Sequence, residues 1–223
     1  MKKLKYVLLG ALISAVVSTC IAIPTLSWLS AKSDEVTNYF AGGKISVSMD
    51  EAKVDGDGKA IKGEDAVRVQ NNTYKFVAGT TVDKDPTATV KKGSIPAYVF
   101  VVVENDYPDV FTYTVPAQWK VAGEVKDTNG KVTKTLYAYY KVVNAEAADV
   151  KLEPMFTTVT VSKDLTSEQL EKMDKVTADG EQVIKSQTFA IQSQVIEINE
   201  AVKQAGAQFG FDEADLKVVT IQP

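Results

Sequence analysis

Alternation of apolar and polar positions organises this chain from residue 44 onward. Ile45, Val47 and Met49 share one face and Lys44, Ser46 and Ser48 the other, the two-residue period of a half-buried strand. Residues 67–69 and 74–77 read as short strands around the turn-like Asn71-Asn72, and 87–90 as another led in by Pro86. Residues 98–103 are apolar in both phases, which predicts a central strand covered on two sides. Further strands are expected at 111–115, 118–121 and 135–143. Thr128-Asn129-Gly130 is a hairpin turn between Val125 and Val132. Residues 156–161 alternate strictly, 188–198 return to strand, and the tail from Leu216 to Ile221 is β-prone.

Helix signals are few. Thr166 with Gln169 forms a capping box ahead of Leu170 and Met173. Asn199 reads as the cap of a short helix ending at Gly206. Many short strands with one or two short helices predict an all-β, antiparallel β-sandwich over 44–223, with a polar surface insertion at 162–187.

The first residues carry a different pattern. Lys2, Lys3 and Lys5 precede an uncharged run from Tyr6 to Ala31, broken by Pro24. Thr25 and Ser27 are small residues at the −3 and −1 positions of a cleavage site, predicting a signal peptide at 1–27 and a mature start at Trp28. The run is also long enough to span a bilayer uncut, and the lysines place the domain outside in both cases. Residues 28–43 form an N-terminal extension that cleavage would free.

Removing the three leader lysines takes the formal charge from −4 to −7, which argues against a nucleic-acid partner. The one cysteine, Cys20, lies in the leader, so the mature domain holds no disulfide. The chain has no histidine, which excludes Ser-His-Asp triads, Cys-His dyads and HExxH zinc sites. Adjacent carboxylates such as Glu64-Asp65 and Asp212-Glu213 lie in polar stretches and read as solvated, so no catalytic residue is expected.

Two patches carry candidate chemistry. With Gly58 at the turn position of a calcium loop, Asp55, Asp57 and Glu64 fall at ligand positions, but Lys53 occupies the first; calcium is the one cofactor this pattern suggests, the other reading being a solvated hairpin. Trp119, Tyr137, Tyr139 and Tyr140 form either a binding platform or strand-spaced packing. Asn71-Asn72-Thr73 matches the N-glycosylation pattern, which has meaning only in a eukaryotic secretory route.

The leader 2–5 through Ser27-Trp28-Leu29 is similar to leaders cut by SipW-type signal peptidases. Asn38-Tyr39-Phe40-Ala41-Gly42-Gly43-Lys44-Ile45-Ser46-Val47 resembles the mature start of the TasA/camelysin (CalY) family. Residues 74–79, 84–87, 98–101, 156–161 and 189–192 resemble its later blocks, while 123–147 fit least. The resemblance implies a jelly-roll-like sandwich, secreted to the matrix or cell surface of a Gram-positive bacterium. It also implies biofilm-matrix fibres in which one subunit's N-terminal segment completes the sheet of the next. Camelysins are also described as metalloproteases, an activity that a histidine-free chain does not favour. The expected donor residues are Trp28, Phe40, Ile45, Val47 and Met49, with self-association as the main partnership. A monomeric adhesin built on the tyrosines is the alternative.

Overall fold

The computed structural model describes residues 30–32, 44–74, 77–169, 171 and 184–222. The fold is mostly antiparallel β-sheet. The longest strand, β6 (Ser94–Asn105), contains the doubly apolar segment. It pairs on one side with β13 (Ile184–Gln192) and on the other with β9 (Val132–Tyr139). Beyond β9 lies β8 (Trp119–Lys126), and beyond β13 lies β1 (Ser30–Lys32). The short β10 (Val143–Ala145) also pairs with β6.

Two smaller sheets accompany this one. In the first, β11 (Val150–Lys151), β5 (Thr87–Val90), β2 (Val47–Ala52) and β3 (Arg68–Val69) lie in that order. In the second, β12 (Thr158–Val161) sits between β4 (Thr81–Asp83) and β7 (Phe111–Thr112).

The central strand is apolar in both phases because both its faces are covered. Val99, Val101 and Val103 join Val47, Met49, Ala88, Val90, Val159 and Val161 in one buried cluster. Phe100 and Val102, with Leu136 and Phe189, join Ala201, Val202 and Ala205 of the helix α1 (Ile198–Gln208) in the other. Strand alternation thus sends successive β6 residues into two separate cores.

The 127–131 hairpin follows its sequence signal. Asp127 Oδ1 accepts from the N–H groups of Asn129 and Lys131 at 2.8 and 2.9 Å, and Gly130 takes φ 80°. The capping box is also present. Gln169 N donates to Thr166 Oγ1 at 3.2 Å, and Thr166 N donates to Gln169 Oε1 at 2.9 Å.

Several boundaries differ from the sequence reading. The strand expected at 111–115 is only β7, and the tail makes isolated bridges at Leu216 and Gln222 in place of a strand. Residues 184–187 belong to β13 rather than to a surface insertion; the 172–183 part of that insertion lies outside the described residues. The helix begins after Glu197, and the Asn199 side chain accepts from Val219 N at 3.1 Å, so it anchors the tail rather than caps. Gly206 does not end the helix either. It lies buried inside it, where a Cβ would stand 2.7 Å from Leu216 Cδ2. Gly206→Ala is therefore expected to destabilise by about 1–2 kcal/mol, because a flexible leucine tip can partly yield; urea unfolding checks it.

Candidate functional site

Three places carry chemistry: the N-terminal edge, the tyrosine region, and a polar cluster around Glu51. At the edge, Ser30, Ala31 and Lys32 pair with Ile191, Ala190 and Phe189. β13 is nine residues long and fully paired with β6 on its other side. Among the described residues, the ladder on its outer side covers only those three positions. Strand backbone without a ladder partner is a template for another strand.

Ser27, Trp28 and Phe40 lie outside the described residues. Ile45, Val47 and Met49 are buried within their own subunit, and β2 pairs with β5 from Val47↔Val90 to Asp50↔Thr87. This placement corrects their assignment to a neighbour's groove: a strand already hydrogen-bonded and packed in its own core cannot be donated without unfolding that core. What remains of the expected donor is the segment ahead of Lys44.

The tyrosine platform is corrected too. Trp119, Tyr137 and Tyr139 are buried and Tyr140 is half-buried. Trp119 meets Tyr139 edge-on at 5.0 Å, and Tyr139 meets Tyr140 likewise at 4.9 Å. Trp119 Nε1 donates to Glu153 O at 3.0 Å and the Tyr139 hydroxyl to the Glu153 carboxylate. Burial, then the neighbouring Glu153 carboxylate, pushes the Tyr139 phenol above its ordinary range. These rings fix β8 and β9 against the 153 loop and offer no flat exposed face. A cleft of about 310 Å³ lies nearby, lined by Asn105, Phe111, Tyr113, Glu124, Thr135 and Tyr137 among others.

The calcium reading does not match the geometry. Asp55 Oδ1 accepts from the N–H groups of Asp57 and Lys59, both at 2.9 Å, closing a turn. The bond from Lys59, then that from Asp57, holds the Asp55 carboxyl below its usual range. Asp57 is exposed, and Glu64 sits in a separate 3₁₀ turn at 63–65. Among the described residues no group of three acidic side chains converges on a metal position.

The sequence reading passed over the polar cluster. Glu51 continues the buried phase of Val47 and Met49 and is only 4% exposed. Its Oε2 accepts from Lys84 Nζ at 2.7 Å and its Oε1 from Asn72 Nδ2 at 3.0 Å. Lys84 Nζ also lies 5.2 Å from the Tyr74 ring centroid. Beside it, Arg68 Nε donates to the Asp50 carboxylate, and Nη1 donates to Asp85 Oδ2 at 2.8 Å. The signal was a carboxylate in the apolar phase of an alternating strand, a position that burial requires to be partnered.

Comparison with family models, curated proteins and solved structures finds no match to this chain. Among the described residues no helix is long and apolar enough to cross a membrane.

Proposed function

We propose that this chain is a secreted structural subunit of an extracellular fibre or surface layer, built as a jelly-roll-like sandwich and assembled by strand addition. The leader pattern supports export through a SipW-type peptidase. The mature N-terminus is the donor segment, and the outer side of β13 is the acceptor. One observation carries this reading: among the described residues, the three-residue ladder Ser30↔Ile191 to Lys32↔Phe189 is the only backbone pairing on the outer side of a nine-residue strand.

So short a ladder is readily exchanged. Whatever pairs with β13 inside one subunit can pair in the same register between two, as in domain swapping. Residues 33–43 separate β1 from Lys44 and reach at most about 35–40 Å when extended, enough to cross to a neighbour. The contact is head-to-tail and does not close, so it propagates as a filament. Backbone ladders give such a contact its affinity.

The test is deletion of residues 28–32 from the mature chain. Wild type is expected to form filaments visible by negative-stain electron microscopy, and the deleted chain to stay monomeric. Filaments that persist unchanged after the deletion would rule out this segment as the donor. A wild type that elutes as a sharp monomer at high concentration would favour the second reading, a surface binding module using the cleft beside Tyr113 and Glu124.

A further inference from the structure

We propose that Lys84 and Asn72 become joined by an intramolecular isopeptide bond, with Glu51 moving the protons. The inference rests on the polar cluster alone and stands whether or not the chain polymerises. A single buried carboxylate holds both reactants, Lys84 Nζ on Oε2 and Asn72 Nδ2 on Oε1. Nucleophile and electrophile are thereby two hydrogen bonds apart inside a folded framework, which replaces an encounter with a fixed geometry.

The carboxamide is held by further hydrogen bonds at both of its ends. Its Nδ2 also donates to Ala52 O at 2.8 Å, and its Oδ1 accepts from Val54 N at 3.0 Å. The Val54 N–H settles which end of the amide is oxygen. That same N–H faces the atom on which negative charge gathers when Cγ becomes tetrahedral, the role of an oxyanion-hole donor. The leaving nitrogen, in turn, lies against Glu51.

The step balances without oxidant or cofactor. Lys84 passes a proton to Glu51, and the neutral amine attacks Asn72 Cγ, forming the Nζ–Cγ bond. Glu51 returns a proton to Nδ2 as the Cγ–Nδ2 bond breaks, and ammonia leaves. Of the three ammonium protons on Lys84, one remains on the new amide, one departs on ammonia and one reaches solvent through Glu51. Glu51 is buried and the Tyr74 ring lies over the lysine, which limits the access of competing water to the carboxylate. A plain ion pair needs no asparagine, and a plain structural asparagine needs no lysine; the shared carboxylate is what unites them. The bond would clamp residues 72 to 84 in a domain that has no cysteine for the purpose.

Intact mass spectrometry of the unfolded full chain tests this. Wild type is expected to be lighter than its sequence by one ammonia, with a cross-linked Asn72–Lys84 peptide after digestion. Lys84→Arg and Glu51→Ala should each restore the full mass. Asn72→Asp should lose water instead and reach the same product as wild type, a rescue that a merely structural role does not produce. Wild type at its full sequence mass overturns the proposal. So does an ammonia loss that persists in Lys84→Arg, which would place it at a succinimide such as Asn129-Gly130.

Discussion

Replacing Phe100 with alanine is expected to destabilise the domain by about 3–5 kcal/mol, the range for large-to-small changes at buried aromatic positions. Phe100 sits at the middle of β6, fully buried, in register with Phe189 on β13 and Ala138 on β9. Phe189 in turn meets Phe209 edge-on at 6.2 Å, which carries the packing from the sheet to the end of the helix. Removing the ring opens a cavity where sheet and helix meet, and the strand cannot collapse into it because both its edges are paired. At about 2–4 °C per kcal/mol for a chain of this size, the midpoint should fall by about 6–20 °C. Val218→Ala is the control: at 84% exposure it should shift stability by no more than about 0.5 kcal/mol. Thermal and urea unfolding of both variants decide the matter. A Phe100→Ala midpoint within a degree or two of wild type would mean that the helix-side core contributes little.

The same residue explains what was legible in the sequence. A strand apolar in both phases has one physical reading, burial on two faces, and residues 98–103 met it. The 127–131 hairpin and the Thr166–Gln169 box were legible because local hydrogen bonds fix them. The two- and three-residue strands β4, β7 and β11 are shaped by the surfaces they pair with, so period alone cannot delimit them, whereas 87–90 was delimited as β5. Alternation likewise cannot say which face meets solvent. Tyr137 and Tyr139 had the spacing of a platform and proved to be core. Ile45, Val47 and Met49 had the pattern of a donor strand, and that pattern serves their own subunit. Gly206 looked like a helix stop because a glycine demanded by a close approach reads the same as one demanded by a turn. Glu51 was readable in principle, as the polar exception in an apolar phase, but its partners Asn72 and Lys84 are distant in sequence and only the fold gathers them.

A loss of about 2–3 kcal/mol is expected for Asp85→Ala, the cost of stripping a partly buried charged acceptor from its donors. Asp85 Oδ1 accepts from Ala52 N at 2.6 Å, and Oδ2 accepts from Arg68 Nη1 at 2.8 Å. Its main-chain oxygen accepts from Arg68 Nη2 at 3.1 Å and from the Thr87 hydroxyl at 2.7 Å. Arg68 also grips the Asp50 carboxylate and, through Nη2, Asp50 O at 2.9 Å. One guanidinium thus ties β3, β2 and the β4–β5 connection together. The planar fork is essential, so Arg68→Lys should recover little of what Arg68→Ala loses. The Asp85 and Arg68 side chains each keep 28% of their exposure, and Asp50 still pairs with the arginine after the substitution. The cost should therefore stay below the 3–5 kcal/mol or so of a fully orphaned buried charge. Asp85→Asn separates the contributions: it keeps an acceptor for Ala52 N and gives up the charge, so it should cost about half as much as alanine. Urea unfolding of wild type, Asn and Ala variants should give that order. Equal stability of Asp85→Ala and wild type would mean that the network only decorates the sheet edge. Lys84 and Asp85 are adjacent yet enter different clusters, one on Glu51 and the other on Arg68. A displaced Asp85 should therefore also withdraw Lys84 from its carboxylate, and the ammonia loss should become incomplete in the same variant.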